Sequence, residues 1–194
     1  MGLAIATLSY KGLNLPAWES DTMKIETQRL ILREFQLDDV ESLAPIMADP
    51  RGMKFSRTRK VLSALETREK IQGFITSYRK YGFGKLAIVA KAQNQLIGYC
   101  GIAVEQIDGK DEKEIGYRLD STFWHQGLAT EAAKATIQHG FEQFKLPWIL
   151  GVVERDNKAS VRVLEKLGMR YVRETIFYGV SMDVYCLERR ATNF

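Results

Sequence analysis

Two hydrophobic rhythms alternate along the chain, one of period two and one near 3.6, and the switches between them mark its elements. In "KIETQRLILREF" (24–35) the apolar Ile25, Leu30 and Leu32 stand among polar residues, which predicts a strand. Asp38 and Asp39 supply a helix start, and "DDVESLAPIMAD" sets Val40, Leu43 and Met47 on one side, with Pro45 expected to shorten or bend the helix. "PRGMKFSRTRK" then reads as a basic loop. Over 66–81, Ile71, Phe74, Ile75 and Tyr78 fall at i, i+3, i+4 and i+7, the stripe of an amphipathic helix, and Gly82 and Gly84 end it.

Three strand patterns follow, "GKLAIVAKA", "QLIGYCGIAVEQI" and "EKEIGYRLD", separated by turn residues at Gln93 and Asn94 and around Asp108 and Gly109. They predict an antiparallel meander. The pattern then alternates: a helix over 127–144 with Ala133, Ile137, Phe141 and Phe144 on one face, a strand "WILGVVE" (148–154), a helix over 157–167, and strands "MRYVRETIFY" and "SMDVYCLER". The expected fold is α+β, a mixed and mostly antiparallel sheet of six to seven strands flanked by about four helices, with a βαβ-like crossover in its second half. One domain is expected over 23–194, with residues 1–22 a loosely ordered extension or Met23 the physiological start.

Composition narrows the classes. At 194 residues, 45% hydrophobic and 27% charged, the chain suits one globular domain, and no apolar run approaches the roughly 20 residues of a membrane helix. The start lacks the basic and apolar regions of a secretory signal, so a cytoplasmic protein is expected, monomer or homodimer, with no membrane partner. A net charge of +4 tolerates anionic ligands without marking nucleic acid as a partner. Cys100 and Cys186 lie far apart with no histidine cluster, so no metal site is expected and both read as buried thiols. Cys100 as an acetyl-accepting nucleophile is set aside, because its strand reads as buried and no histidine lies near it in sequence.

Candidate chemistry centres on "WHQGLATEA" (124–132), where Gly127 precedes a helix start. A bare helix N-terminus offers unpaired N–H groups and about half a positive charge, so strand, glycine loop and helix together make an anion cradle. A tight connection would look the same. The stretch is neither GxxxxGK[ST] nor GxGxxG, which excludes a Walker loop and a dinucleotide fingerprint.

"EIGYRLDSTFWHQGLATEA", the later "ERDNKASVRVLEKLGM" and the opening "TQRLILREF" together resemble the GNAT N-acetyltransferases, in the RimJ/RimL-like branch of ribosomal-protein alanine acetyltransferases. The resemblance spans about residues 24 to 190. It implies acetyl-CoA as co-substrate and a primary amine as acceptor, on a small molecule or a peptide such as a ribosomal-protein N-terminus. Trp124 to Ala129 fall on the family's pyrophosphate loop, where Trp124 and His125 depart from its usual residues. The implied backbone contacts run over Gln126, Gly127, Leu128, Ala129 and Thr130. Tyr117, Arg118 and Leu119 occupy the strand segment that pairs with the pantetheine arm, and Asn157 matches a residue on the pantetheine side; Asn157 is equally suited to cap the helix it starts.

Acetyl transfer to an amine needs the amine deprotonated and the leaving thiolate protonated. Alternation in "EIGYRLD" puts Ile115, Tyr117 and Leu119 on one face and Glu114, Gly116 and Arg118 on the other. Glu114 is the candidate base by resemblance, and equally a solvated glutamate beside Arg118. The tyrosine that many relatives carry seven residues after the asparagine is Leu164 here; Ser160 resembles the branch's substitute acid, with Tyr117 and Tyr178 in reserve. The acceptor side would be built over Asp38 to Tyr81, where Arg51, Lys54, Arg57, Arg59 and Lys60 disfavour a polycation. A non-catalytic module that binds CoA or RNA is the rival reading.

Overall fold

The first expected strand breaks in two. Ile25 and Leu30 are five residues apart, an odd spacing that no single strand can place on one face. In a computed structural model, which describes residues 23–56 and 58–189, a turn at 27–29 folds β1 (Lys24–Glu26) back on β2 (Leu30–Arg33), so that Ile25 pairs with Leu32. The proposed extension, 1–22, and Arg57 of the basic loop lie outside the described residues.

The rest of the sheet is β3 (Lys85–Ala90), β4 (Gln95–Ile107), β5 (Lys110–Leu119), β6 (Trp148–Val153), β7 (Arg170–Phe177) and β8 (Val180–Glu188). The order across it is β1-β2-β3-β4-β5-β6-β8-β7, eight strands where six to seven were expected. Every neighbouring pair is antiparallel except β5 and β6, which run parallel. The crossover between them is α4 (Leu128–Gln143), as the alternating rhythm predicts.

Period two decides what each face carries. Leu86, Ile88, Cys100, Ile102, Ile115 and Leu119 pack with Leu128, Ala132, Ala133 and Ile137 of α4 and with Leu164 of α5 (Lys158–Lys166). Burying a side chain such as Ile137 contributes about 1.5–3 kcal/mol. On the opposite face, Ala87, Leu96 and Tyr99 meet Leu43, Ile46 and Met47 of α1 (Val40–Ala48) and Ile71 of α3 (Ala64–Tyr81). α1 runs through Pro45 to Ala48, since proline there forfeits a single hydrogen bond, to the carbonyl four residues back. α3 starts at Ala64, two residues before the expected start at 66, because Ser63 and Glu66 form a capping box. Its end at Gly82, φ 76°, is as read from sequence.

Within the expected basic loop, residues 50–53 form a short helix, α2 (Pro50–Met53), with Asp49 accepting from the Arg51 amide at its start. Among the described residues, no helix is long and apolar enough to cross a membrane.

Candidate active site

β5 and β6 share one paired position, Glu114 with Leu150, and then part. From Ile115 to Leu119, β5 stays paired with β4 on one edge and, among the described residues, has no strand partner on the other. Parallel strands that diverge leave main-chain N–H and C=O groups open along the gap. Tyr117 spans it: its hydroxyl donates to the Ser160 carbonyl in the first turn of α5, 3.3 Å away. Burial pushes this phenol well above its ordinary pKa, so the hydroxyl keeps its proton. Tyr117, Arg118 and Leu119 therefore border the gap.

α4 begins at the mouth of the gap. Its N-cap is Gly127, in the left-handed region at φ 76°, which a glycine adopts without strain. Among the described residues no side chain caps this helix, and the amides of Leu128, Ala129 and Thr130 have no side-chain acceptor there. The loop before them is held from its own side: Trp124 Nε1 donates to the Leu119 carbonyl at 3.0 Å and Gln126 Nε2 to the Thr122 carbonyl at 3.3 Å. It is also held from the β1–β2 turn, where Arg29 Nη1 donates to the Gln126 carbonyl at 2.9 Å. Glu131, in the first turn of α4, accepts from Thr27 Oγ1 at 2.6 Å and from the Arg29 amide at 3.0 Å. Burial raises the Glu131 carboxyl, but these hydrogen bonds outweigh it and hold the group below its ordinary value. The sequence marks Gly127 and its neighbours, whereas Thr27 and Arg29 read only as part of the opening strand "TQRLILREF", with no role at the α4 start.

Asn157 starts α5, and its side chain accepts from the Ser160 amide at 3.2 Å, so in this structure it works as a cap. Ser160 is half-buried beside Tyr117. Leu164 lies in the core, and Tyr178 sits 61% exposed beyond β7, so Tyr117 is the reserve phenol that meets Ser160.

Glu114 departs from its expected surroundings. It does face away from Ile115 and Leu119, yet it is neither solvated nor paired with Arg118: it is 7% exposed, and its Oε2 lies 3.0 Å from Nζ of Lys85, also 7% exposed. Lys85 Nζ donates further to the Gly101 carbonyl at 3.0 Å and the Glu114 carbonyl at 3.4 Å, so its three protons meet three acceptors. Room for this comes from Gly116, where a Cβ would collide with Lys85 Nζ. The Tyr78 hydroxyl of α3 donates to the Lys85 carbonyl and accepts from the Phe35 amide at 3.2 Å, which fixes the strand below. The sequence reading passed over Lys85; its one trace was a lysine opening the otherwise apolar "KLAIVA".

Arg118 turns to the same face and donates to the Gly52 carbonyl of α2 and to the Tyr99 hydroxyl, the latter at 3.4 Å. The segment from Asp49 onward is tied across the gap: Ser121 Oγ donates to Asp49 Oδ2 at 2.7 Å, and Arg59 pairs with Glu154, just past β6, at 2.7 Å. Much of the basic character expected there is thus answered internally, since Arg51 pairs with Asp49 and Lys60 with Glu66. Both cysteines are free thiols, but only Cys100 is buried; Cys186 is partly exposed. Burial pushes the Cys100 thiol up to about 12, which agrees with setting it aside as a nucleophile.

An open strand edge beside an uncapped helix start suits an elongated ligand that ends in a diphosphate. The chain belongs to the GNAT acetyltransferase family: residues 29–170 match its acetyltransferase domain. The Bacillus subtilis protein YkkB is 30% identical over 171 residues, 88% of this chain and 97% of that protein. A GNAT-family acetyltransferase from Bacillus anthracis has a similar structure, with a TM-score of 0.74 and 26% identity over 86% of this chain and 98% of that one. A RimL ribosomal L7/L12 α-N-protein acetyltransferase, solved in complex with coenzyme A, shares the fold at 22% identity and a TM-score of 0.72, covering 86% of this chain and 98% of that one.

Proposed function

We propose that the protein transfers an acetyl group from acetyl-CoA to a primary amine by direct attack in a ternary complex, with Glu114 as base and Ser160, beside Tyr117, as acid. The observation that carries this is the gap between β5 and β6 with the uncapped amides of α4 at its mouth. Acetyl-CoA, when bound, supplies the activated acetyl group. The amides of Gln126 to Thr130 hold its diphosphate and the open edge of Tyr117 to Leu119 aligns its arm. Asn157 keeps the first turn of α5 in place. Glu114 draws a proton from the acceptor nitrogen, a task matched to an α-amine of pKa near 8 or a lysine near 10.4. Ser160, whose carbonyl accepts from the Tyr117 hydroxyl, protonates the departing sulfur, with Tyr117 in reserve.

The acceptor is a small-molecule amine or a protein N-terminus. The fold shared with ribosomal-protein acetyltransferases supports the RimJ/RimL-like branch. The decisive experiment is acetyl-CoA binding by calorimetry in Thr130→Asp. An aspartate in the first helical turn is compatible with α4 and repels a diphosphate. At least tenfold weaker binding with an unchanged melting temperature is expected, whereas binding at full strength would sink the proposal. Tight binding without turnover on any amine would favour the non-catalytic module.

A further inference from the structure

The face that carries Glu114 holds more positive charge than it needs. Lys85 and Glu114 neutralise one another, but two other cations on the same face have no such partner. Arg118 is half-buried, and it donates to two neutral groups, the Gly52 carbonyl and the Tyr99 hydroxyl. Those take two of its five N–H donors. Lys70 of α3, also half-buried, lies over the rings of Phe74 at 5.4 Å and Tyr99 at 6.0 Å. Among the described residues neither cation pairs with a carboxylate. The acids nearby are engaged elsewhere: Asp49 by Arg51 and Ser121, Asp39 by Arg33, and Glu114 by Lys85.

Between the two cations sits the Tyr99 phenol, which registers their field. Burial alone would raise its pKa, yet Arg118, Lys70, the hydrogen bond from Arg118 and the charge of Lys85 bring it down to about 8. A half-buried guanidinium without a counter-charge is costly, and a ligand that brings a negative group relieves the cost. Tyr99 and Arg118 are directly opposed across β4 and β5, four pairs along from the pair of Ala103 with Glu114. Four strand residues span about 13 Å between Cα atoms, which sets the outer limit for a ligand reaching from Glu114 to Arg118.

We propose that Arg118 and Lys70 form an anion subsite for the acceptor, so that the amine presented to Glu114 carries a carboxylate or phosphate of its own. This rests on the reading that Glu114 receives the acceptor amine. An uncharged amine leaves the two cations unanswered, and a polyamine adds repulsion to them.

The test compares matched amines with acetyl-CoA: β-alanine against β-alaninamide, and 2-aminoethyl phosphate against ethanolamine. The anionic member of a pair is expected to have at least tenfold higher kcat/KM, and the pair that shows it tells carboxylate from phosphate. In Arg118→Met and Lys70→Met the ratio within that pair should fall toward one. Equal use of charged and neutral amines overturns the inference while leaving acetyl transfer intact. If no amine in either pair is acetylated, a readout without turnover decides: absorbance titration of Tyr99, assigned with Tyr99→Phe. Inorganic phosphate or acetate should move the Tyr99 midpoint upward, and an unmoved midpoint with both anions overturns the subsite.

Discussion

The two ends of the candidate site are built differently. The α4 end is made of backbone: a parting strand pair, a glycine at positive φ and three amides with no cap. The Glu114 end is made of side chains drawn from distant segments, with Lys85 from β3, Tyr99 from β4, Arg118 from β5 and Lys70 from α3. A backbone device depends on local order along the chain and tolerates many side chains; a side-chain cluster depends on register between strands and fails when one member changes.

If that contrast holds, the largest effect comes from splitting the buried pair. Lys85→Met should cost about 3–5 kcal/mol in denaturant unfolding, because Glu114 is left buried without a counter-charge. Adding Glu114→Gln to it should return part of that loss, and a Lys85→Met protein as stable as the parent would show the pair to be dispensable. Next, Glu114→Gln alone should lower kcat about 100-fold or more with acetyl-CoA affinity unchanged, the separation expected if this end handles protons and the other holds the nucleotide. Undiminished turnover would remove Glu114 from the chemistry.

A smaller effect belongs to Tyr99. With its folded value near 8 against an ordinary 10, the folded state releases this proton first, so the phenolate's stabilisation is complete above pH 10 and is lost as pH falls through 8. Stability should therefore gain with pH between 8 and 10 by at most about 1.4 kcal/mol per unit relative to Tyr99→Phe. Taking the difference cancels Cys100, whose raised thiol acts in the opposite sense. Identical slopes in the two proteins would deny the cations their hold on Tyr99. Smallest is Arg59→Ala, which loses a half-exposed ion pair with Glu154 and should change stability by less than about 1 kcal/mol, an effect that fades with added salt.

The same contrast explains what could be read from the sequence. The alternation in β5 fixed which face Glu114 takes, and the apolar stripe of α4 with Gly127 before it located the helix start, because both signals lie within a few residues of one another. Lys85 could not be found that way. Its role depends on β3 pairing with β4 so that Lys85 lies beside Gly101, and on β4 pairing with β5 so that Gly101 lies beside Gly116. Three positions spread over about thirty residues meet only once the register exists. The doubled first strand is misread as one, although the odd spacing from Ile25 to Leu30 is a local sign that both cannot lie on one face of a single strand.

The β1–β2 hairpin has a practical consequence. Its turn reaches the start of α4 through Thr27 and Arg29, yet the family match opens only at residue 29. Anyone trimming the gene to that boundary would discard Thr27 and all of β1 while keeping both helical layers. Such a shortened protein keeps Arg29 but loses Thr27 Oγ1 and the strand pairing that orders the turn, so Arg29 is left on a chain end and weaker acetyl-CoA binding by the same domain is the expected result.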